Sequence, residues 1–224
     1  MSEHIIGTSQ AAIDGYEAEA IAIFTRVNER MQQLVTRAFG LTYEGPDAET
    51  VFNPGLNRLA NESVTRMNEG MRAFAAAVST VTSNIARSLG AGEVQFVFNP
   101  PVLELPPPPG VAADDFRIDT AAFDTFLGTD LPEAQAAVVG LFAENQQAFN
   151  NIPRATADSP GWSGEARDYA QNTVVPAQTE QLTSILQQVV QQVTDFMTSA
   201  KNGTLAADQA GVGAGGGGGR IGGR

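Results

Sequence analysis

The chain has 224 residues, a formal net charge of −12 and no cysteine. Disulfides and thiolate metal centres are thereby excluded, and so acidic a chain argues against nucleic acid as the main partner, because phosphate binding needs a basic face. Charged residues make up 17% and hydrophobic residues 42%, the balance of a globular protein, while aromatics reach only 7%, as expected of elongated helices with thin cores. The single histidine, His4, stands near the chain start and far from any acidic cluster. Ser-His-Asp, Cys-His and multi-histidine zinc chemistry are removed together.

The opening MSEHIIGTSQ has no basic stretch followed by an apolar run, so it does not read as a cleavable signal peptide. No segment approaches the ~18 apolar residues of a membrane span. Residues 9–39 then place Ile13, Tyr16, Ala20, Ile23, Val27, Met31, Leu34 and Ala38 at alternating spacings of three and four, which predicts one face of a helix stopped at Gly40. Residues 41–55 (LTYEGPDAETVFNPG) hold two Pro and two Gly and predict a loop. A second stripe, Ala60, Val64, Met67, Met71, Phe74, Val78, Val81 and Ile85, ends near Gly90. Residues 1–90 thus predict a helical hairpin.

Residues 91–129 change character. Glu93 to Phe98 alternate weakly like a short strand, Pro100, Pro101 and Pro106–Pro109 predict an extended spacer, and 115–128 fit a short helix. Asp130-Leu131-Pro132-Glu133 reads as a helix start, with Asp130 as cap, Pro132 in the first turn and Glu133 reaching back. Ala134, Val138, Leu141, Ala148 and Ile152 follow, with Phe142 and Phe149 beside them, until Pro153 and Ser159-Pro160-Gly161 end the helix. Ala166, Tyr169, Thr173, Ile185, Val189, Val193 and Phe196 predict a last helix to about Ala200, kinked at Pro176, which removes a donor and crowds the preceding turn. Nine of the last fourteen residues are Gly, so 201–224 reads as a disordered tail.

The turn between these last two helices, Pro-Gly-Trp-Ser-Gly-Glu at 160–165, carries the only tryptophan. Gly161 and Gly164 let the chain reverse sharply, and Trp162 puts a large rigid anchor, beside Ser163, where hairpins usually carry a small polar residue. The expected fold is all-α: an elongated four-helix bundle of two hairpins, 1–90 and 130–200, with a Pro-rich linker and a Gly-rich tail. Narrow apolar stripes are poorly stable alone, and two hairpins in one chain supply each other, with axes ~20° apart. Shifting the first half by about 110 residues lays Phe52-Asn53-Pro54-Gly55 near Trp162-Ser163-Gly164-Glu165, a repeat of layout rather than of identity.

Chemistry is sparse. The carboxylate pairs Glu17/Glu19 and Asp114/Asp115 have no His, Lys or metal-ligand pattern beside them and read as solvated faces or caps. Gly215–Gly219 follows no strand and lacks the Gly-Lys-Ser/Thr ending of a phosphate loop. No catalytic, metal or cofactor-binding residue is expected. The candidate site is a protein-recognition turn: Trp162, Gly164, Gly161 and Ser163, with an exposed indole as the recognition element.

Paired helices of this length, a Trp-x-Gly turn at Trp162 and Gly164, acidic charge and no cysteine resemble the WXG (ESAT-six-like) proteins. Those are helical hairpins exported by type VII secretion systems of actinobacteria and Firmicutes, usually as dimers that form four-helix bundles. The tandem arrangement is similar to fused, secretion-associated relatives in which one chain carries both hairpins. The resemblance implies a non-enzymatic secreted or secretion-associated protein, made in the cytoplasm, exported without a cleavable leader or held at the cell envelope. Its implied partners are secretion machinery, a helical-hairpin protein or further copies of itself, with neither nucleic acid nor membrane contact predicted. The family's export signal pairs a Tyr with an acid four residues on. Tyr43 and Asp47 match that spacing, but Gly45 and Pro46 put them in a loop rather than after a hairpin's second helix, so the match reads as coincidence. A second reading is a structural coiled-coil component of a phage virion or cell-envelope assembly. Membrane insertion as a pore former is disfavoured by the charge and the short apolar runs.

Overall fold

In the computed structural model the described residues are 10–88, 99, 106, 107, 111, 113, 117–159 and 161–215. The strand expected at 93–98, most of the Pro-rich spacer and the last nine residues lie outside them. Four helical rods make an all-α fold. The first is α1 (Gln10–Phe39). The second passes from a π turn, Ala48–Phe52, into α2 (Asn53–Ser88). The third joins α3 (Thr120–Thr125), a π turn at Phe126–Asp130 and α4 (Leu131–Asn150). The fourth joins α5 (Glu165–Tyr169), a π turn at Ala170–Val174 and α6 (Val175–Gly215). Two short strands, β1 (Tyr43–Glu44) and β2 (Arg117–Ile118), pair antiparallel and clip the first interhelical loop to the chain leading into α3.

The stronger packing runs between hairpins. α1 lies mainly on α4 and α2 on α6, α4 and α6 close a third side, and α1 touches α2 least. Side-chain size accounts for the difference. On α2, a Cβ at Gly55 would stand 2.6 Å from the Phe196 ring, and one at Gly70 2.9 Å from Leu182 and Ile185, so α2 can approach α6 closely. Across the α1–α2 seam the bulky pair Phe24 and Phe74 meets edge to face at 5.5 Å, with Met31, Met67 and Met71 also buried, and holds the axes apart. Arg26–Glu144 and Arg37–Asp130 tie α1 antiparallel to α4, while Arg66 of α2 reaches Gln188 and Gln192 of α6.

All eight residues of the α1 stripe are buried. The later stripe holds only in part, for a definite reason. Val189 is buried and Ala166, Ile185, Val193 and Phe196 pack against the core, but Tyr169 is 56% exposed and Thr173 is exposed, whereas Arg167, Ala170, Val175, Leu182 and Leu186 face the core. The π turn at Ala170–Val174 inserts one extra residue, which carries a 3.6-residue stripe drawn through it about 100° out of phase.

Proline explains why the π turns stand where they do. Pro54, Pro132 and Pro176 each follow a π turn by two residues. The residue before each proline donates its N–H five residues back: Asn53 to Ala48, Leu131 to Phe126 and Val175 to Ala170. In a regular helix a proline ring collides with the carbonyl four residues earlier and leaves it without a donor. Widening the preceding turn carries that carbonyl away from the ring, so Pro176 is absorbed by a π turn rather than breaking the rod. The same device corrects the expected helix start at Asp130, which lies inside a π turn with helical backbone angles and caps nothing. The cap of that rod is Asp119, whose carboxylate accepts the Ala122 N–H at 3.0 Å. At the other end of the chain the helical backbone runs through Gly215, beyond the expected limit near Ala200. Leu205, Ala206, Ala207 and Ala210 are strong helix formers.

Candidate functional site

Trp162, Gly161, Ser163 and Gly164 come together as a turn folded back on the end of α4. The Trp162 N–H donates to the Pro153 carbonyl at 2.8 Å, and the Ser163 hydroxyl donates to the Ala155 carbonyl at 3.3 Å. Gly161 lies against the same strand of chain: a Cβ there would stand 2.5 Å from the Pro153 oxygen and 2.6 Å from the Ala155 nitrogen. Gly164, at φ 115°, has the left-handed backbone that favours glycine, and its carbonyl accepts the Asp168 N–H as α5 begins.

The indole is fully buried, against the expectation that it would be exposed as a recognition element. Its ring meets Phe149 edge to face at 5.6 Å, and Phe149 meets Tyr16 of α1 in the same way at 5.2 Å. Tyr16 in turn donates its hydroxyl to Asn145 at 3.4 Å. This chain of rings keys the turn of the second hairpin to the first helix of the other. Small neighbours cannot cover an indole from outside, so the turn curls inward and the bundle itself covers it. The indole N–H has no hydrogen-bond partner among the described residues.

Arg167 was not foreseen as part of this site. It is 3% exposed and donates to the carbonyls of Asn150 at 3.2 Å and Ile152 at 3.0 Å, and to the Gln171 side chain at 2.8 Å. The Asn150 carbonyl belongs to the last turn of α4, which lacks intrahelical donors, the Ile152 carbonyl to the turn just beyond it, and one guanidinium satisfies both. Burial lowers the Arg167 pKa below its ordinary value, the like charge of Arg154 adds to this, and Asp168 opposes both. Arg154 and Asp168 bridge the outside of the turn at 3.1 Å. The sequence signal was a cation one turn into the helix that follows a helix end.

Tyr43 and Asp47 lie at the opposite end of the bundle. Tyr43 is buried and stacks on Phe52 at 4.2 Å with rings 5° apart, while the Asp47 carbonyl accepts the Val51 and Phe52 N–H groups of the first π turn. Among the described residues no three His, Cys, Asp or Glu side chains are grouped to hold a metal, and no helix is long and apolar enough to cross a membrane. Comparison with protein-family models, curated proteins and solved structures finds no match to this chain.

Proposed function

We propose that this chain is a non-enzymatic helical-bundle protein of a type VII (ESX-like) secretion system, secreted or secretion-associated, that works through protein contacts. One observation carries the reading: a Trp-x-Gly turn closes the second hairpin of a bundle whose other hairpin comes from the same chain. Fused relatives of the WXG proteins likewise carry both hairpins in one chain. Because Trp162 is buried, its part is to set the shape of the bundle end, and a partner reads the surface around it, where Tyr169 is exposed. The partners this implies are the secretion machinery or another helical-hairpin protein.

The test is export from a host that carries a type VII system, with and without its secretion ATPase, against a cytosolic marker. The expected result is intact protein in the medium only when the ATPase is active. Equal amounts in both strains, or none in either while the cells hold folded protein, overturn the proposal.

A further inference from the structure

Residues 89–110, of which Asn99, Pro106 and Pro107 are among those described, join two fixed points at opposite ends of the bundle. α2 ends at Ser88. Val111 is held against the first interhelical loop: its N–H donates to the Tyr43 carbonyl at 3.2 Å, and its carbonyl accepts the Gly45 N–H at 3.2 Å. Tyr43 stacks on Phe52, just before the start of α2, so the chain between Ser88 and Val111 must return along the whole of α2, about 53 Å. As helix, those 23 steps would cover only about 35 Å. Extended backbone, at roughly 3.1–3.4 Å per residue, bridges the gap with length to spare.

The straight path runs over the α1–α2 seam, because Ser88 ends one of those helices and Val111 is bonded to the loop between them. The other seams fit an apolar segment poorly. Charged side chains, Arg26, Glu29, Arg30, Glu133 and Glu144, line the clefts between α1 and α4, and α2 is closed against α6 at Gly55 and Gly70. Along the α1–α2 seam the helices touch least, yet residues turned away from the core are covered. Ser83 stands about 180° around α2 from the buried Phe74 but is only 8% exposed. Asn28, one turn beyond Phe24 on the side of α1 that meets Phe74, is 1% exposed, and neither polar atom of its amide has a partner among the described residues.

We propose that the chain's own residues 94–98 lie extended in the α1–α2 seam, with Val94, Phe96 and Phe98 turned inward. These three alternate with Gln95, Val97 and Asn99, and the exposure of Asn99 sets the phase. Spread evenly between Ser88 and Val111, at about 2.3 Å per residue, the segment brings Phe96 level with the buried Ala75 and Asn99 level with Asn28. An extended backbone offers both N–H and C=O groups, so it can satisfy both atoms of the Asn28 amide. Covalent connection selects this occupant over a separate partner, since the two ends of the segment are already fixed at the two ends of the seam. The proposal does not depend on the secretion reading.

The chain has no cysteine, so a Ser83→Cys thiol reports on the seam alone. In the full chain it should react with a maleimide at least about tenfold more slowly than Arg72→Cys, an exposed position on the same helix. Replacing Val94, Phe96 and Phe98 together by Ser should bring the two rates to within about threefold, whereas replacing Gln95 and Val97 by Ser should leave the Ser83→Cys thiol slow. Spin labels on Arg72→Cys and Asn99→Cys test the path with the inward residues untouched. Both positions are exposed and level with each other, so one distance within about 25 Å is expected. Labels farther apart than that, a native thiol as reactive as Arg72→Cys, a folded triple variant whose thiol stays slow, or a Gln95/Val97 variant whose thiol becomes fast overturns the proposal.

Discussion

Trp162 and Arg167 hold the end of α4 by opposite means, one filling space and the other satisfying carbonyls. Truncating a fully buried indole removes its packing and leaves a cavity, so Trp162→Ala should lower unfolding free energy by about 3–5 kcal/mol in urea titrations. A loss under about 1 kcal/mol would contradict the burial seen here. Tyr16, at the far end of the same ring chain, gives a pH effect. Burial pushes its hydroxyl above the ordinary value, and the Glu19 carboxylate adds to the rise. The folded chain therefore keeps a proton that the unfolded chain releases near pH 10, and stability falls as pH rises from there, by up to ~1.4 kcal/mol per unit. Tyr16→Phe should flatten that part of the pH–stability curve. Parallel curves for the two proteins would rule this out.

At the scale of elements, the recurring unit is a π turn followed at fixed distance by proline. If the wide turn exists to accommodate the ring, it should become dispensable once the ring is gone. Deleting Thr173, an exposed member of the third π turn, should be tolerated in a Pro176→Ala background, because the shortened turn can close as regular helix with the flanking faces still in phase. With Pro176 retained, the same deletion forces the ring against a carbonyl and should cost about 3 kcal/mol or more. Thermal melts of the two deletions decide the matter: equal stability would separate the π turn from the proline.

For the whole molecule, the distribution of packing makes each hairpin dependent on the other. α1 rests chiefly on α4 and α2 on α6, while the two helices of the first hairpin touch least. Separate chains covering 1–90 and 117–224 should each show little cooperative melting, and mixing them should restore the helical signal and a single transition. If 1–90 alone melted as sharply as the full chain, the core would not be the shared one described. Surface ion pairs contribute far less: Arg26 and Glu144 are each about half exposed, and reversing one should change stability by under about 1 kcal/mol.

Read alone, the sequence determined what depends on local period and backbone chemistry. The α1 stripe, with Val27 and Met31 at its centre, needs only a helical repeat to be recognised, and a chain reversal at Gly161–Gly164 needs only backbone freedom. The four rods and the place of the Trp turn were legible in this way. Tertiary structure decided what depends on residues distant in sequence. Whether Trp162 faces solvent or core turned on Phe149 and Tyr16, the latter on the other hairpin, and the role of Arg167 turned on where the last carbonyls of α4 end up. The phase of the fourth rod escaped the periodic reading because one extra residue in a π turn leaves the composition unchanged while rotating every side chain on one side of it. Tyr169 was thereby carried to the surface and Ala170 into the core, a difference that only packing against α2 and α4 enforces.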